Sequence, residues 1–208
     1  HKAQKMATEL YDPSVNSCLK DLCLEILDGK TAVLTISSFN YYEWNNYLVF
    51  KSFVDSSMKV IENKKIKNLM IDVRYNRGGS QHPSIYLLQH LMDKPFTYYS
   101  KVESEGKTGK TYGEEIFHPV DNRFKGRVYF LIDGNGHSTT GHFMSLVKVH
   151  NLGTILGEEL GSNQFCTAGQ TLFRLSNTKF VVSSANNTHV STAITLPDER
   201  GILPDFFV

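Results

Sequence analysis

The sequence lacks several features that would place it in a specialised class of protein. Its 208 residues include only three cysteines, Cys18, Cys23 and Cys166, which cannot all pair with one another. We therefore do not expect a disulfide framework, and the spacings give little support to a four-ligand zinc site. No apolar run approaches the roughly 18 residues that a membrane-spanning helix needs.

The chain also lacks an excess of positive or negative charge. The 22 Lys and Arg residues nearly balance the 21 Asp and Glu residues, which leaves a formal net charge of +1. Binding to nucleic acids or to anionic membranes would lack its main electrostatic driving force. The eight histidines are scattered without a His-Glu-x-x-His motif, and no nucleotide-phosphate loop is found. We expect no metal and no cofactor.

Apolar residues make up 40% of the chain and aromatic residues 12%, which is enough for one well-packed domain. Residues 1–22 show little periodicity and are predicted to be an N-terminal extension, followed by a domain over 23–208. The first six residues lack the apolar core that is typical of a signal peptide, which leaves the compartment open.

Strand and helix patterns alternate along the centre of the chain. Buried-type strands are predicted at 31–36, 69–74, 128–132 and 154–157. The first is followed by a helix that Asn45 or Asn46 could cap and that runs to about residue 63. Helices also follow the second and third strands, and the last 40 or so residues read as short strands. This order predicts an α/β fold with a mostly parallel central sheet and a β-rich C-terminal part.

Two strand-to-helix junctions hold the chemically informative residues. One contains Gly78 and Gly79, and the other, residues 133–138, ends in Ser138. In a parallel sheet both junctions open at the edge where α/β proteins bind ligands. A serine at a helix start is a candidate nucleophile, and glycine-loop amides are candidate oxyanion donors. Ser138 could equally be a helix N-cap, and the glycines could form a simple turn.

The blocks 69–79, 128–140, 154–159 and 200–205 occur in an order that resembles the C-terminal-processing (tail-specific) serine peptidases. The resemblance implies the spiral of β-β-α units seen in the Clp-protease/crotonase fold. It also implies that Ser138 attacks a peptide carbonyl, while the amides of Thr139 and of Gly78 or Gly79 hold the oxyanion.

The sequence departs from this family at the general base. The lysine of the usual Ser-Lys dyad is replaced by Asn163, which cannot accept a proton at neutral pH. Gly141 stands where an acidic residue is common, one turn after the serine. Two histidines remain as candidate bases: His142, one helical turn after Ser138, and His82, just past Gly79.

Two functions follow from these residues. The first is a serine endopeptidase that forms an acyl-enzyme on Ser138, uses a histidine base, and acts on a peptide or protein substrate. The second is an inactive protein on the same fold that binds a peptide or lipid-like ligand, in which case the missing lysine means loss of catalysis. An acyl-CoA enzyme of the crotonase type is a weaker alternative. The family resemblance also implies an extracytoplasmic location.

Overall fold

The structure, a computed structural model, describes residues 17–104 and 115–208. Residues 1–16 of the extension predicted over 1–22, and residues 105–114 in the middle of the chain, lie outside the described residues. The described chain forms three helices, α1 to α3 in chain order: Trp44–Asn63, Gln81–Gln89 and Thr139–Val149. It also forms twelve strands, β1 to β12: Ser17–Leu19, Leu22–Asp28, Thr31–Ile36, Asn68–Asp72, Phe96–Thr97, Tyr99–Ser104, Ile116–Phe117, Arg127–Ile132, Thr154–Gly157, Phe165–Arg174, Val181–Ser191 and Phe206–Phe207.

The main sheet has seven strands in the order β1-β2-β3-β4-β8-β9-β12. Within this sheet β3, β4, β8, β9 and β12 run parallel to one another. At one edge β1, β2 and β3 form an antiparallel meander. Because β4 and β8 are direct neighbours in register, the loops at their carboxyl ends lie side by side. The predicted α/β class with a mostly parallel sheet is confirmed.

A second, antiparallel sheet of three strands has the order β10-β11-β6. β10 and β11 form a long hairpin in the predicted β-rich C-terminal part. A two-stranded pair of β5 and β7 completes the strands of the described residues. The second sheet contacts α3, so one end of the hairpin reaches the helix that follows Ser138.

The helices bury the faces that their sequence periodicity predicts. On α1 the apolar positions at three- and four-residue steps are buried: Phe50, Phe53, Val54, Met58 and Ile61. This helix starts at Trp44, one residue before the predicted caps, and Glu43 at its N-cap makes no capping hydrogen bond with its side chain. Among the described residues no helix is both long and apolar enough to cross a bilayer.

One expectation about the N-terminal part, the absence of disulfide bonding, needs correction. Cys18 and Cys23 lie directly opposite each other on β1 and β2 and are joined by a disulfide. Spacing alone could not show this, because the two thiols meet only when the antiparallel register forms. The same pairing makes 17–22 part of the main sheet, so the boundary predicted at residue 22 falls within a hairpin.

Asp205 ties the C-terminal end of the chain to the sheet and to α3. Its carboxylate accepts a hydrogen bond from the Ile155 N–H at 2.8 Å and pairs with Lys148 Nζ at 2.5 Å. Partial burial by itself raises the pKa of Asp205. The hydrogen bonds from Lys148 and Ile155 outweigh that effect and hold the pKa below 3.8.

We expect Asp205→Asn to lower the free energy of unfolding by about 1–2 kcal/mol at neutral pH. Because the folded-state pKa lies below the unfolded-state value, the stabilisation is complete above that value and is lost as the pH falls through the folded-state pKa. The difference between variant and wild type should therefore shrink below about pH 3.8. Urea unfolding at a series of pH values measures it. Asp121→Asn, at an exposed turn, is the matched control. A difference in unfolding free energy between Asp205→Asn and wild type that did not change with pH would contradict the role given to the Asp205 carboxylate.

Candidate active site

The two predicted junctions lie next to each other at the carboxyl edge of the main sheet. Residues 73–80 connect β4 to α2, and residues 133–138 connect β8 to α3. Asp133 links them directly, because its Oδ1 accepts hydrogen bonds from the N–H groups of Tyr75, at 3.0 Å, and Asn135, at 3.1 Å. The parallel register of β4 and β8 thus places a glycine loop against the turn that carries Ser138.

Ser138 adopts a backbone conformation that a serine rarely occupies. Its φ is 56° and its ψ is −124°, and its side chain makes no capping hydrogen bond to α3 although it occupies the N-cap position. The alternative that Ser138 is only an N-cap therefore does not describe this turn. Such strained residues persist where surrounding contacts enforce them, and they cluster at functional sites. The turn holds the hydroxyl away from the helix backbone, half-buried, at the helix start.

Gly78 allows the glycine loop to touch the serine turn. A β-carbon at Gly78 would lie 2.8 Å from Ser138 Cβ and 2.8 Å from Thr139 N, and the residue has a φ of 84°. At Gly79, with a φ of 144°, a β-carbon would overlap the main chain of Phe39. Both glycines are therefore required by close backbone contact as well as by their dihedral angles.

The main-chain amides of this region fall into two groups. The Gly78 N–H donates to Asn76 Oδ1 at 2.9 Å. Within the described chain no acceptor pairs with the N–H of Gly79 or with that of Thr139, which is the first residue of α3. The Thr139 hydroxyl donates to the Gly79 carbonyl at 2.6 Å and so joins the two loops. Two unpaired amides therefore lie close to the Ser138 hydroxyl.

Asn76 connects the parts of the site, and the sequence analysis missed this role. Its side chain is fully buried. Its Nδ2 donates to the Ile36 carbonyl at 2.8 Å, and its Oδ1 accepts from the Gly78 N–H and from the Thr140 hydroxyl. Its carbonyl accepts from the His137 N–H at 3.0 Å. Its position two residues before a Gly-Gly pair was the available signal, since asparagine often bonds to backbone groups in turns.

Neither histidine predicted as a base contacts Ser138. The His142 ring is almost completely buried, packs against Tyr98 and Tyr99, and places Nε2 3.1 Å from the His189 carbonyl. Burial lowers the pKa of His142 to about 4, partly offset by backbone hydrogen bonds. His82 lies exposed on α2 with its ring 6.1 Å from that of Tyr47. The helical turn after Ser138 points into the core, because the apolar face of α3 begins there.

Asn163, which the sequence resemblance aligns with the dyad lysine, hydrogen-bonds to main-chain groups of neighbouring loops. Its Nδ2 donates to the carbonyls of Asp198 and Arg200, each at 3.0 Å, and its Oδ1 accepts from the Phe165 N–H. The main chain of Asn163 packs directly on Gly141, where a β-carbon would overlap the Asn163 carbonyl. This contact leaves no room for any side chain at position 141, and hence none for the acidic residue expected there from the sequence resemblance.

The partner of Ser138 is a residue that the sequence analysis did not assign to the site. Ser138 Oγ lies 3.1 Å from the Sγ of Cys166, the free cysteine near the start of β10. Burial raises the pKa of the Cys166 thiol and outweighs the opposing effect of the hydrogen bond with Ser138. Directly opposite Cys166 on β11 lies His189. In the described residues no group of three His, Cys, Asp or Glu side chains is placed to bind a metal ion.

One protein-family model matches most of the chain. The model of peptidase family S41 matches residues 30–208. No curated protein is significantly similar to the chain in sequence.

Solved structures with a similar fold include a putative peptidase from Parabacteroides merdae, with a TM-score of 0.63, 19% identity, and coverage of 100% of this chain and 62% of that one. A photosystem II D1 C-terminal processing protease has a TM-score of 0.61 and 13% identity, and the match covers 92% of this chain and 49% of that one. A lipoprotein from Streptococcus agalactiae has a TM-score of 0.61, 14% identity, and coverage of 99% and 68%. The chain thus spans about half to two thirds of the length of these proteins.

Proposed function

Because the chain belongs to peptidase family S41, we propose that it is a serine endopeptidase whose nucleophile is the Ser138 hydroxyl. The observation that carries the proposal is the turn at Ser138, where a strained, uncapped serine lies beside two unpaired amides. The hydroxyl of an N-cap serine accepts a hydrogen bond from an amide of its own helix, and the Ser138 hydroxyl does not. Its substrate in this proposal is a peptide or a protein, as membership of a peptidase family implies.

The amides of Gly79 and Thr139 would hold the oxyanion. When Ser138 Oγ attacks the carbonyl carbon of the scissile bond, the carbonyl electron pair moves onto oxygen, and the two N–H groups donate to that charge. Gly78 is less suited as a donor because Asn76 already accepts from its N–H. The role of Gly78 in this proposal is the close contact that aligns the two loops.

The acyl-enzyme forms when the carbon–nitrogen bond breaks and the amine leaves with a proton. Water then attacks the acyl carbonyl and restores the Ser138 hydroxyl. Both steps need a group that takes the proton from the attacking oxygen, and Asn163 cannot do this. We propose that a histidine replaces the lysine.

Asn163 is the observation that favours the alternative function, an inactive peptide- or lipid-binding protein on the same fold. Its amide is fully engaged in linking the 198–200 loop to the start of β10. In that case the cleft would bind an extended ligand without cleaving it. The two functions differ in whether Ser138 becomes acylated or phosphonylated.

We also propose an extracytoplasmic location. The Cys18–Cys23 disulfide is typical of proteins in oxidising compartments, and one protein of similar fold is a lipoprotein.

Labelling with a fluorophosphonate tests the proposed function. We expect the folded protein to gain one adduct by intact mass, and peptide mapping to locate it on Ser138. Ser138→Ala should remove the adduct completely, and Ser176→Ala, at an exposed turn, should keep it. If the folded wild type acquires no adduct on Ser138, the peptidase proposal is wrong. A thermal-shift response to peptides in that protein would then support the binding function.

A further inference from the structure

We propose that Cys166 and His189 form, with Ser138, a relay of hydroxyl, thiol and imidazole that removes the proton from the nucleophile. The inference rests on the proposed function and names the base that the proposal requires. It assigns the base to the second sheet, on strands β10 and β11, at a position that neither the missing lysine nor His142 or His82 occupies.

The first step of the relay is a direct contact. Ser138 Oγ and Cys166 Sγ are 3.1 Å apart, within hydrogen-bond distance for a sulfur atom, and either atom can donate. Within the described residues, the hydroxyl makes no other side-chain hydrogen bond. Because burial raises the pKa of Cys166, the thiol keeps its own proton at neutral pH and can pass one on.

The second step follows from strand register. Cys166 and His189 are directly opposite each other in the antiparallel pair β10–β11. Directly opposite residues place their side chains on the same face of a sheet, with β-carbons about 5 Å apart. The side chain of Cys166 faces the start of α3, so that of His189 faces the same region.

Aromatic packing supports this orientation of His189. Its ring lies edge-on to Tyr99 at 5.5 Å between centroids, and the same tyrosine contacts the ring of His142 on α3 at 5.6 Å. The imidazole of His189 is thus held between β6 and α3, on the side of the second sheet where Ser138 lies. Cys166, Tyr99 and His142 are the titratable groups that face it from β10, β6 and α3.

The protonation state of His189 suits a base. Half-burial lowers its pKa from the ordinary value of 6.5, so the ring is neutral at pH 7. On attack, the Ser138 proton moves to Cys166 Sγ as the thiol proton moves to the His189 ring nitrogen, and the oxygen–carbon bond forms. The imidazolium then returns its proton through the Cys166 thiol directly to the leaving amine, because the Ser138 oxygen is by then bonded to the acyl carbon, and no other reactant is needed.

The rate of fluorophosphonate labelling at Ser138, followed from pH 5 to pH 9, tests the relay. In the wild type we expect the rate to rise with pH through an inflection below 6.5, where His189 loses its proton. His189→Ala should slow labelling at least about 100-fold and remove that inflection. Added imidazole should restore part of the rate. His142, with a pKa of about 4, loses its proton below the measured pH range and so does not account for that inflection.

The thiol is tested by two substitutions of similar size. Cys166→Ser keeps a group that donates and accepts and should retain most of the rate, whereas Cys166→Ala should lose it. His150→Ala, at the exposed far end of α3, is the matched control. If circular dichroism shows that His189→Ala does not fold, His189→Gln is used in its place, because glutamine fills part of the volume of the imidazole side chain.

Labelling of His189→Ala or Cys166→Ala at the wild-type rate with an unchanged pH profile would overturn the relay and leave the peptidase proposal intact. If His82→Ala labels slowly and His189→Ala labels at the wild-type rate, the base is His82. That result would also overturn the relay and leave the peptidase proposal intact. An adduct on Cys166 in place of Ser138 would make the thiol the nucleophile. No adduct at all would refute the relay and the proposed function together.

Discussion

Replacing Gly78 by alanine is expected to slow labelling of Ser138 by about 100- to 1,000-fold and to destabilise the fold. A β-carbon here would lie 2.6 Å from the His137 carbonyl oxygen and 2.8 Å from Thr139 N, both main-chain atoms that cannot rotate away. The two loops must separate, which displaces an oxyanion donor from the serine. Loss of one such donor typically costs a factor of this size.

The positive φ of Gly78 adds to the effect. At 84°, an alanine is strained whatever space surrounds it. Gly29→Ala is the matched control, because a β-carbon at Gly29 would meet no atom within 4 Å. We expect that variant to label at the wild-type rate and to change the free energy of unfolding by less than about 0.5 kcal/mol. Normal labelling of Gly78→Ala would show that the two loops do not need to touch.

Asn76→Ala should have the largest effect on stability, a loss of about 2–6 kcal/mol in the free energy of unfolding. The substitution leaves the buried Gly78 N–H and the Ile36 carbonyl without partners, and each unsatisfied group costs about 1–3 kcal/mol. Thr140 keeps its second acceptor, the Asn76 carbonyl, so its hydroxyl adds little. The free energy is measured by urea unfolding.

The same variant should label slowly even where it is folded, because Asn76 aligns the glycine loop with the start of α3. Labelling at low temperature, where the folded fraction is high, separates this effect from unfolding. Asn122→Ala, in an exposed turn, serves as the control. A folded Asn76→Ala protein with wild-type stability would contradict the role of Asn76 as the connection between the loops.

Local patterns in the sequence were sufficient for most of the fold. Strands β3 and β9 have the bounds that the apolar runs predict, and the buried face of α1 is the predicted one. These features depend on the residues of one segment and on their alternation or helical spacing, so a single sequence carries them. The start of α1 differs because the predicted caps Asn45 and Asn46 lie inside the helix.

The candidate site was accessible from the sequence only in part. Ser138, Gly78, Gly79 and Thr139 could be selected because they follow strands and precede helices, and the structure places them together. His142 and His82 were selected by distance along the chain, and the structure directs them to the core and to solvent. Separation along a helix does not reveal which side of that helix the second sheet covers.

The order of strands and helices, the family and the serine at a helix start were contained in the linear pattern of residues, because each depends on short segments. The partners of that serine were decided by tertiary structure alone. Cys166 follows Ser138 by 28 residues, and it reaches the hydroxyl only through the docking of β10 on α3. His189 is brought to Cys166 by hairpin register, which long-range strand pairing sets and no local preference encodes.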